Sequence, residues 1–536
     1  MAGWNFADIW EIVAEKLPDA PCQIQGDRTV SWSQFDQRAN GVAAWLLELG
    51  AVKQDKVAHY LYNCPEYLES MFGMYKAGLV PVNTNYRYAD EELLYLWDNA
   101  DAIAVVFHGT FSERIESLRS KLPKVQGWLW VDDDSGPCPS WATPYEDAAA
   151  KGSSDAVRAP WGRSGDDLYM LYTGGTTGMP KGVMWRQDDL VGTLAGGFVG
   201  LVDADGNPDL EAGRAQIVGP GGKGLPACPL MHGTGAFTAF STMCSGGCIV
   251  TLSKRNFDAE ELLETIQEHK VNVLAVVGDA FCKPMLRALD EHPGQWDISS
   301  VIAIVSSGVM WSEETKQGLL KHHGGMLLSD NFSSSEALGM GASVSTAAGT
   351  SDTAKFKLGE NARVITDDGR DVVPGSGEVG IVAVKGRTPV GYYKDPEKSE
   401  KTFKIIDGER YSVPGDFATV EEDGTLKLLG RGSVCINTGG EKVFPEEVEE
   451  VLKTHPDIRD AVAVGVPDEK WGEAICAMVE PVPGTEVDEA DVIAHVKSRL
   501  AAFKAPKRVL SVDTIGRAPN GKVDYKRLKA EATERV

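Results

Sequence analysis

The sequence predicts an α/β protein with a large N-terminal domain of stacked α/β subdomains, a small β subdomain and a small α+β C-terminal domain. The chain has 536 residues, and a single hydrophobic core rarely grows beyond about 250–300 residues, so more than one packed unit is expected. Across residues 30–107, helical patterns alternate with short apolar runs, which is typical of stacked α/β units. Beyond residue 358 the pattern changes to short β-rich runs separated by turns.

The elements of the first half follow from hydrophobic periodicity. Residues 35–49 have a helical pattern, and the apolar run 103–107 predicts a buried strand. Between residues 203 and 224, Gly, Pro, Asn and Asp accumulate. We therefore expect a mobile surface loop there that could cover a cleft.

The second half predicts two further units. The runs 363–367, 377–384 and 425–429 indicate a small antiparallel β subdomain. After Arg431 we expect a compact α+β segment, with the domain boundary between residues 430 and 431 (domains 1–430 and 431–536). Its predicted elements are a helix opened by Pro445, strands 461–466 and 508–512, a helix over 489–500 and a basic tail.

Charge and composition exclude several classes of protein. The chain has 53 Lys and Arg against 78 Asp and Glu, a net charge of −25, so it lacks the basic surface of a nucleic-acid-binding protein. Neither a signal peptide nor a long apolar run is present, which predicts a cytoplasmic protein without a transmembrane segment. The 9 cysteines are scattered, and we expect free thiols rather than a disulfide framework or a zinc site.

A glycine- and threonine-rich segment after an apolar run predicts a phosphate-binding loop. Glycines let backbone N–H groups surround an anion, threonine hydroxyls add donors and a lysine adds positive charge. The order of residues does not match the Walker motif of NTPases, and a plain surface loop is the alternative interpretation. The candidate ligands are Thr173, Gly174, Gly175, Thr176, Thr177, Gly178 and Lys181.

With this loop and further motifs in the same order, the chain resembles the adenylate-forming superfamily of acyl-CoA synthetases, peptide-synthetase adenylation domains and luciferases. The resemblance runs from Lys76-Ala77-Gly78 to Gly521-Lys522 and therefore covers nearly the whole chain. Phrases such as Lys181-Gly182-Val183-Met184-Trp185 are most similar to bacterial long-chain fatty acid and steroid side-chain CoA ligases.

The resemblance implies roles for residues that would otherwise be read as ordinary structural positions. His232 would sit at the acyl pocket and gate the thiol tunnel, and Gly308 would lie between the acyl pocket and the nucleotide. In isolation, a core histidine is the favoured interpretation of His232, and a strand-to-helix turn explains Gly308 equally well. A further motif would bind adenine, with Phe332 stacking on the base, and Mg²⁺: Asp330, Asn331, Phe332, Ser333, Ser334, Ser335 and Glu336.

The remaining implied site residues lie towards the C-terminus. Asp416 and Arg431 would contact the ribose, Gly439 and Gly440 would line the pantetheine tunnel, and Lys522 would be the essential lysine of adenylation. Thr173 and Glu336 are the implied metal ligands, since Mg²⁺ prefers hard oxygen donors. We expect Lys522, His232 and Glu336 to be the catalytic residues.

Two positions depart from the family pattern. The hinge that usually follows the ribose arginine is uncharged here, so Ser433 is the pivot by position alone. Gly174 stands where the phosphate loop usually has a serine, which removes one hydroxyl. Neither departure removes a residue to which the resemblance gives a catalytic role.

The resemblance implies an ATP-dependent carboxylate-CoA ligase with ATP, Mg²⁺ and coenzyme A as cofactors and a hydrophobic carboxylic acid as substrate. The alternatives are delivery of the acyl-adenylate to a carrier-protein phosphopantetheine, and a medium-chain or aryl acid as substrate. A nucleotide-binding protein without ligase activity and a Rossmann oxidoreductase are less consistent with these motifs. Whether the chain forms a homodimer is left open. The predicted acyl-pocket positions are Gly235, Ala236, Phe237, Asp279, Ala280, Gly308, Gly339 and Gly341.

Overall fold

A computed structural model describes residues 3–173, 179–309, 311–438, 441–468, 471–518 and 521–536. Within these ranges the strands form sheets of 15, 8 and 5 strands. None of the helices in the described ranges combines the length and the apolarity needed to cross a bilayer. The mixed α/β class predicted from the sequence is confirmed.

The helices are distributed along the whole chain. They are α1 (Phe6–Lys16), α2 (Trp32–Glu48), α3 (Pro65–Lys76), α4 (Asp90–Asn99), α5 (Ser112–Leu118), α6 (Tyr145–Ala149), α7 (Gln187–Leu194), α8 (Leu210–Gln216), α9 (Gly233–Cys244), α10 (Ala259–His269), α11 (Asp279–Glu291), α12 (Glu313–His322), α13 (Pro396–Thr402), α14 (Pro445–Lys453), α15 (Glu489–Lys497) and α16 (Tyr525–Arg535). Short 3₁₀ turns cover Gly109–Phe111, Arg119–Lys121, Gly196–Phe198, Gly432–Val434 and Ala502–Lys504.

The strands are given in chain order. They are β1 (Pro21–Gln25), β2 (Arg28–Ser31), β3 (Lys56–Tyr60), β4 (Val80–Asn83), β5 (Ala102–His108), β6 (Gly127–Val131), β7 (Thr143–Pro144), β8 (Leu168–Thr173), β9 (Lys181–Arg186), β10 (Lys223–Pro226), β11 (Cys248–Thr251), β12 (Val273–Val276), β13 (Ala303–Ser307), β14 (Leu327–Ser334), β15 (Ala337–Ser345), β16 (Lys355–Leu358), β17 (Ala362–Ile365), β18 (Gly380–Lys385), β19 (Gly391–Tyr392), β20 (Phe403–Ile406), β21 (Glu409–Ser412), β22 (Asp416–Val420), β23 (Thr425–Arg431), β24 (Ile436–Thr438), β25 (Glu441–Val443), β26 (Ile458–Asp468), β27 (Gly472–Pro481) and β28 (Arg508–Ser511).

The two larger sheets are built by the first part of the chain. One has the order β2-β1-β11-β10-β12-β13-β14-β15-β16-β23-β22-β18-β21-β20, with β17 paired to β18. It is parallel from β1 to β14 and antiparallel beyond. The other has the order β19-β9-β8-β4-β3-β5-β6-β7. A core that includes residues of α1, α2, α3 and α9 packs against strands of both sheets.

Helix α2 illustrates how the sequence specifies an element. Ser31 accepts a hydrogen bond from the backbone N–H of Gln34, and the Gln34 side chain bonds back to Ser31, which forms a capping box. Its buried residues include Phe35, Ala39, Val42 and Leu46, which recur at helical spacing. The predicted helix 35–49 is therefore confirmed, beginning three residues earlier at Trp32.

Two expectations need correction. The region 203–224 is not all loop, because α8 begins there behind an Asp209 cap and Gly213 packs against Trp4 and against Ile12 of α1. The basic tail after residue 524 forms the helix α16. The predicted antiparallel β region after residue 358 is confirmed by β17, β18 and β23, which share a core, and β16 connects it to the first sheet.

The third sheet has the order β25-β24-β27-β26, with β28 paired to β27. Both faces of β26 are buried, since Ala461 and Ala463 pack with residues of α14 and α15. Val462 and Val464 pack instead with Leu528 and Ala532 of α16. The predicted strands 461–466 and 508–512 and the two predicted helices correspond to β26, β28, α14 and α15, whereas β27 was not predicted.

Candidate active site

A cavity of about 1250 Å³ lies at the carboxyl ends of β8, β12 and β13 and extends along α9. The ends of parallel strands are where α/β proteins usually bind ligands. The cavity gathers several predicted site residues from distant parts of the chain. They are Thr173, His232, Gly308, Asn331, Ser333, Ser334, Ser335 and Lys522.

Lys522 reaches this cavity from a loop near the C-terminus. The Ala518 N–H donates to the Lys522 carbonyl at 2.9 Å, and Arg517, which pairs with Asp460, donates to the Gly521 carbonyl at 3.0 Å. Gly521 has a φ of +72°, and a Cβ there would lie 3.2 Å from the Cβ of Ala280. The loop tip is therefore docked closely against the start of α11.

Lys522 interacts electrostatically with several other predicted site residues. The Lys522 side chain is open to the cavity, but its removal from bulk solvent and the Arg431 charge lower its pKa, while Glu336 and Asp416 act in the opposite direction. Burial and the Lys522 charge also lower the pKa of His232 to about 3. His232 is therefore neutral at physiological pH, and it stands directly before α9.

Glu336 lies in the turn between β14 and β15, and its side chain is buried. The Tyr392 hydroxyl donates to its Oε1 at 2.9 Å, and the Ser412 hydroxyl donates to its backbone carbonyl at 2.6 Å. Trp185 donates to the neighbouring Ser335 carbonyl at 2.9 Å. Tyr392 was not predicted as a site residue, because it lies 56 positions from Glu336 and only the fold brings the two together.

Asp416 and Arg431 face each other across β22 and β23. The Arg431 Nε donates to Asp416 Oδ1 at 3.2 Å. Asp416 is buried, which raises the pKa of its carboxyl, and its Oδ2 has no hydrogen-bond partner among the described residues. Asp416, Arg431 and Glu336 do not themselves line the cavity. Leaving a buried carboxylate oxygen unpaired is costly, so Oδ2 would accept a hydrogen bond from a ligand that enters beside it.

Lys181 begins β9, directly after the predicted phosphate loop. Its Nζ lies 3.9 Å from Asp395 and 5.7 Å from the centre of the Tyr392 ring. Burial and the nearby Lys398 lower its pKa. The predicted loop residues Gly174, Gly175, Thr176, Thr177 and Gly178 lie outside the described residues, as do Gly439 and Gly440.

Residues 330–334 of the predicted adenine and metal motif lie on β14 and divide between the two faces of the strand. Asn331 and Ser333 line the cavity. Asp330 and Phe332 alternate with them, as period-two geometry requires, and do not line it. The Asp330 Oδ2 lies 3.3 Å from Lys316 Nζ, and Phe332 stacks on Phe356 with ring centres 5.5 Å apart.

The predicted acyl-pocket positions also divide into two groups. Phe237, Gly308, Gly339 and Gly341 line the cavity, whereas Gly235, Ala236, Asp279 and Ala280 do not. A Cβ on Gly235 would lie 2.7 Å from the Pro229 carbonyl oxygen, so this glycine permits close packing of α9 on a neighbouring loop. Asp279 instead accepts hydrogen bonds from Ser312.

Comparison with known proteins agrees with this geometry. The AMP-binding enzyme family matches residues 10–393, and the AMP-binding enzyme C-terminal domain matches residues 447–522. The chain belongs to the AMP-binding enzyme family. The resemblance drawn from the sequence motifs is thereby confirmed.

Relatives of this AMP-binding enzyme include the medium/long-chain-fatty-acid–CoA/3-oxocholest-4-en-26-oate–CoA ligase of Mycobacterium tuberculosis, which is 38% identical over 99% of this chain and 96% of that protein. The 3-oxocholest-4-en-26-oate–CoA ligase of Rhodococcus rhodochrous is 38% identical over 97% of this chain and 95% of that protein. The anthranilate CoA ligase AuaEII in complex with anthranoyl-AMP has a similar fold, with a TM-score of 0.84 and 22% identity over 100% of this chain and 98% of that one.

Proposed function

We propose that this protein is an ATP-dependent carboxylate-CoA ligase that forms an acyl-adenylate and then an acyl-CoA thioester. The observation that carries the proposal is the position of Lys522, which lines the same cavity as Thr173 and interacts electrostatically with Glu336 and Asp416. A cation beside hydroxyl and carboxylate groups can stabilise the negative charge that develops during transfer of an adenylyl group.

We assign the nucleotide to the side of the cavity that Lys522 reaches. The unpaired Oδ2 of Asp416 would accept from a ribose hydroxyl, with Arg431 fixing the carboxylate. Gly308, Asn331, Ser333, Ser334 and Ser335 would form the wall beside the nucleotide. Asp330 and Phe332 would support that wall from the opposite face of β14. The phosphate contacts of residues 174–178 and of Lys181 remain predictions.

The residues present fit a magnesium ion. The Thr173 hydroxyl and the Glu336 carboxylate are hard oxygen donors, and Mg²⁺ commonly takes its other ligands from phosphates and water. Among the described residues no group of three or more His, Cys, Asp or Glu side chains could hold a metal alone. This donor set therefore suits a metal that enters with a nucleotide, and the ion would neutralise phosphate charge when bound.

In the first half-reaction, a carboxylate oxygen of the acid attacks the α-phosphorus of ATP, and the bond to pyrophosphate breaks. Lys522 holds the oxygens on which negative charge develops. In the second, the CoA sulfur attacks the acyl carbon and AMP leaves. We place the domain boundary at residues 430/431, so that the C-terminal domain turns there and brings Gly439 and Gly440 to the tunnel gated by neutral His232.

We propose a bulky hydrophobic acid as the substrate, in line with the fatty-acid and steroid side-chain ligases among the relatives. Free CoA is the proposed acceptor. A carrier-protein phosphopantetheine is the alternative acceptor, and a medium-chain or aryl acid is the alternative substrate. Titration with CoA during acyl-adenylate turnover separates the acceptors, because only a CoA ligase releases a thioester in proportion to added CoA.

Replacement of Lys522 tests the proposal. We expect Lys522→Ala to lower acyl-adenylate formation by at least about 10²-fold, the usual effect of removing a positioned transition-state charge. Thioester formation from supplied acyl-adenylate should be largely retained, because Lys522 would have left the cavity by then. Pyrophosphate release and thioester formation are measured separately. Lys526→Ala, at an exposed position of α16, is the matched control. Equal losses in both half-reactions of Lys522→Ala would contradict the assignment.

A further inference from the structure

One face of α9 and the residue that follows it line the cavity with hydroxyl groups. At a rise of 1.5 Å per residue, this face extends for about 16 Å from Thr234 to Ser245. Apart from Gly233, the first residue of α9, and Phe237, every lining residue of the face carries a hydroxyl. The lining residues are Gly233, Thr234, Phe237, Thr238, Ser241, Thr242 and Ser245.

The hydroxyl hydrogens of Thr238, Thr242 and Ser245 are already used in hydrogen bonds within the helix. Thr238 donates to the Thr234 carbonyl at 2.8 Å, Thr242 donates to the Thr238 carbonyl at 2.9 Å, and Ser245 donates to the Thr242 carbonyl at 2.8 Å. A hydroxyl that donates its hydrogen to the preceding helical turn still has lone pairs on its oxygen. The face therefore presents a row of hydrogen-bond acceptors, spaced by about one helical turn.

The sheet side of this part of the cavity carries many aliphatic side chains. They are Val273, Val277, Ile302, Val305, Leu338, Ala342 and Val344. Ile302 and Val344, at the outer end, are 59% and 57% exposed. Lys223 and Asn272 also line the cavity, but they donate to the carbonyls of His269 and Ser300. One wall therefore accepts hydrogen bonds and the other is mainly apolar.

We infer that this part of the cavity binds a polycyclic carboxylic acid that carries hydroxyl groups along one face. Its carboxylate would lie at the Lys522 end, its hydroxyls would donate to Thr238 and Thr242, and its apolar face would lie against the sheet. The inference rests on the proposed ligase function and narrows its substrate class. A plain alkyl chain would cover the acceptor oxygens without offering donors, which costs free energy.

Two acids with the same skeleton and carboxylate test the inference. Cholic acid has hydroxyls on one face of its ring system, and 5β-cholanic acid has none. For the wild-type protein with ATP and CoA, we expect kcat/KM of pyrophosphate release to be at least about tenfold higher for cholic acid, because a site that hydrogen-bonds a substrate hydroxyl discriminates more strongly than an apolar pocket.

The double variant Thr238→Val/Thr242→Val removes two acceptors and leaves branched side chains of similar size. We expect it to lower kcat/KM for cholic acid about tenfold more than for 5β-cholanic acid, the effect of about one or two lost hydrogen bonds. Thr265→Val, a half-buried threonine of α10 that does not line the cavity, is the control and should leave the ratio unchanged.

Three outcomes would overturn the inference. The wild-type ratio could lie near one, the double variant could lower both rates equally, or lauric acid could support turnover while both ring acids fail. In each of these cases the ligase function itself would stand. If lauric acid, benzoic acid and both ring acids all fail to release pyrophosphate, the proposed function falls and the inference falls with it.

Discussion

At the scale of single residues, burial of the incompletely paired Asp416 carboxylate destabilises the folded protein, and a bound ligand can offset this loss. Its carboxylate is buried, and Oδ2 lacks a hydrogen-bond partner among the described residues. Burial raises its pKa, which means that the protein environment disfavours the ionised form. A bound ribose would provide the missing hydrogen bond, so function and stability place opposite demands on this residue.

We therefore expect Asp416→Asn to raise the KM for ATP by about tenfold or more, since hydrogen bonds to charged groups contribute about 1.5–3 kcal/mol. The melting temperature should change little, because the lower cost of burying a neutral amide offsets the loss of the ion pair with Arg431, whose side chain is 40% exposed. Steady-state kinetics and thermal unfolding measure the two effects. Asp423→Asn is the control, since Asp423 is exposed. A lower melting temperature with unchanged KM would make Asp416 a purely structural residue.

At the same scale, the sequence predicted which residues lie at the site better than it predicted the residues that contact them. Lys522, His232, Gly308 and Thr173 line one cavity as the motifs led us to expect. Tyr392 was missed because the hydrogen bond that it donates to Glu336 depends on pairing of strands far apart in the chain. Local patterns carry no information about such a contact.

At the scale of elements, residues 330–336 were predicted to act together as one binding motif, but residues 330–334 belong to β14 and point alternately to its two faces. Its alternation assigns Asn331 and Ser333 to the cavity and assigns Asp330 and Phe332 to the opposite face. Helix α16 was missed for a related reason. Its buried contribution is limited to Leu528 and Ala532, a pattern too sparse to predict a helix in a polar segment, and β26 covers both residues after folding.

The ion pair of Lys316 and Asp330 links α12 to the face of β14 that points away from the cavity. Their side chains are 1% and 6% exposed, and Lys316 also donates to Ser351 at 3.2 Å. Burial raises the pKa of Asp330 to about 6, while the Lys316 charge opposes that rise. Breaking such a pair is usually more damaging than replacing both partners, because it leaves one buried charge uncompensated.

We expect Lys316→Met to destabilise the protein by about 3–5 kcal/mol at neutral pH. The double variant Lys316→Met/Asp330→Asn should recover most of the loss, because no charge is then left unpaired. The midpoint of urea unfolding measures both. Lys321→Met, at the exposed end of the same helix, is the control. A double variant no more stable than Lys316→Met would show that the contribution of Lys316 lies in its packing on Trp311.

At the scale of the whole molecule, the acidic helix α14 lies between the first and third sheets. Glu446 approaches the backbone of β23 at Gly430, and Phe444 packs on Phe417 with ring centres 5.4 Å apart. These contacts join residues on either side of the proposed boundary. The sequence predicted α14 from its opening proline and acidic first turn, but it could not predict that acidic side chains would be buried at this interface.

The charges around Glu446, Glu449 and Glu450 determine how the packing of α14 against β23 responds to pH. We call this packing the docked arrangement. Glu446 faces Glu449 and Asp416, and burial raises its pKa. Glu450 faces Lys427 of β23, Asp279 of α11 and its helix neighbours Glu449 and Lys453, and burial raises its pKa to about 7. Glu449 instead accepts from the Ala463 N–H and the Tyr525 hydroxyl. Because the docked form holds extra protons above the ordinary pKa of 4.5, docking weakens as pH rises from there through about 7.

Raising the pH from 5 to 8 should therefore shift the population away from the docked arrangement by about tenfold or more, since one pKa unit is worth about 1.4 kcal/mol. Energy transfer between one dye on each side of residue 431 measures the shift. Glu446→Gln/Glu450→Gln should remain docked at pH 8, because neutral amides no longer lose a proton. Glu486→Gln, on an exposed loop, should behave like the wild type. If the double glutamine variant undocked over the same pH range as the wild type, the interface carboxylates would not control docking, and the titrating group would lie elsewhere.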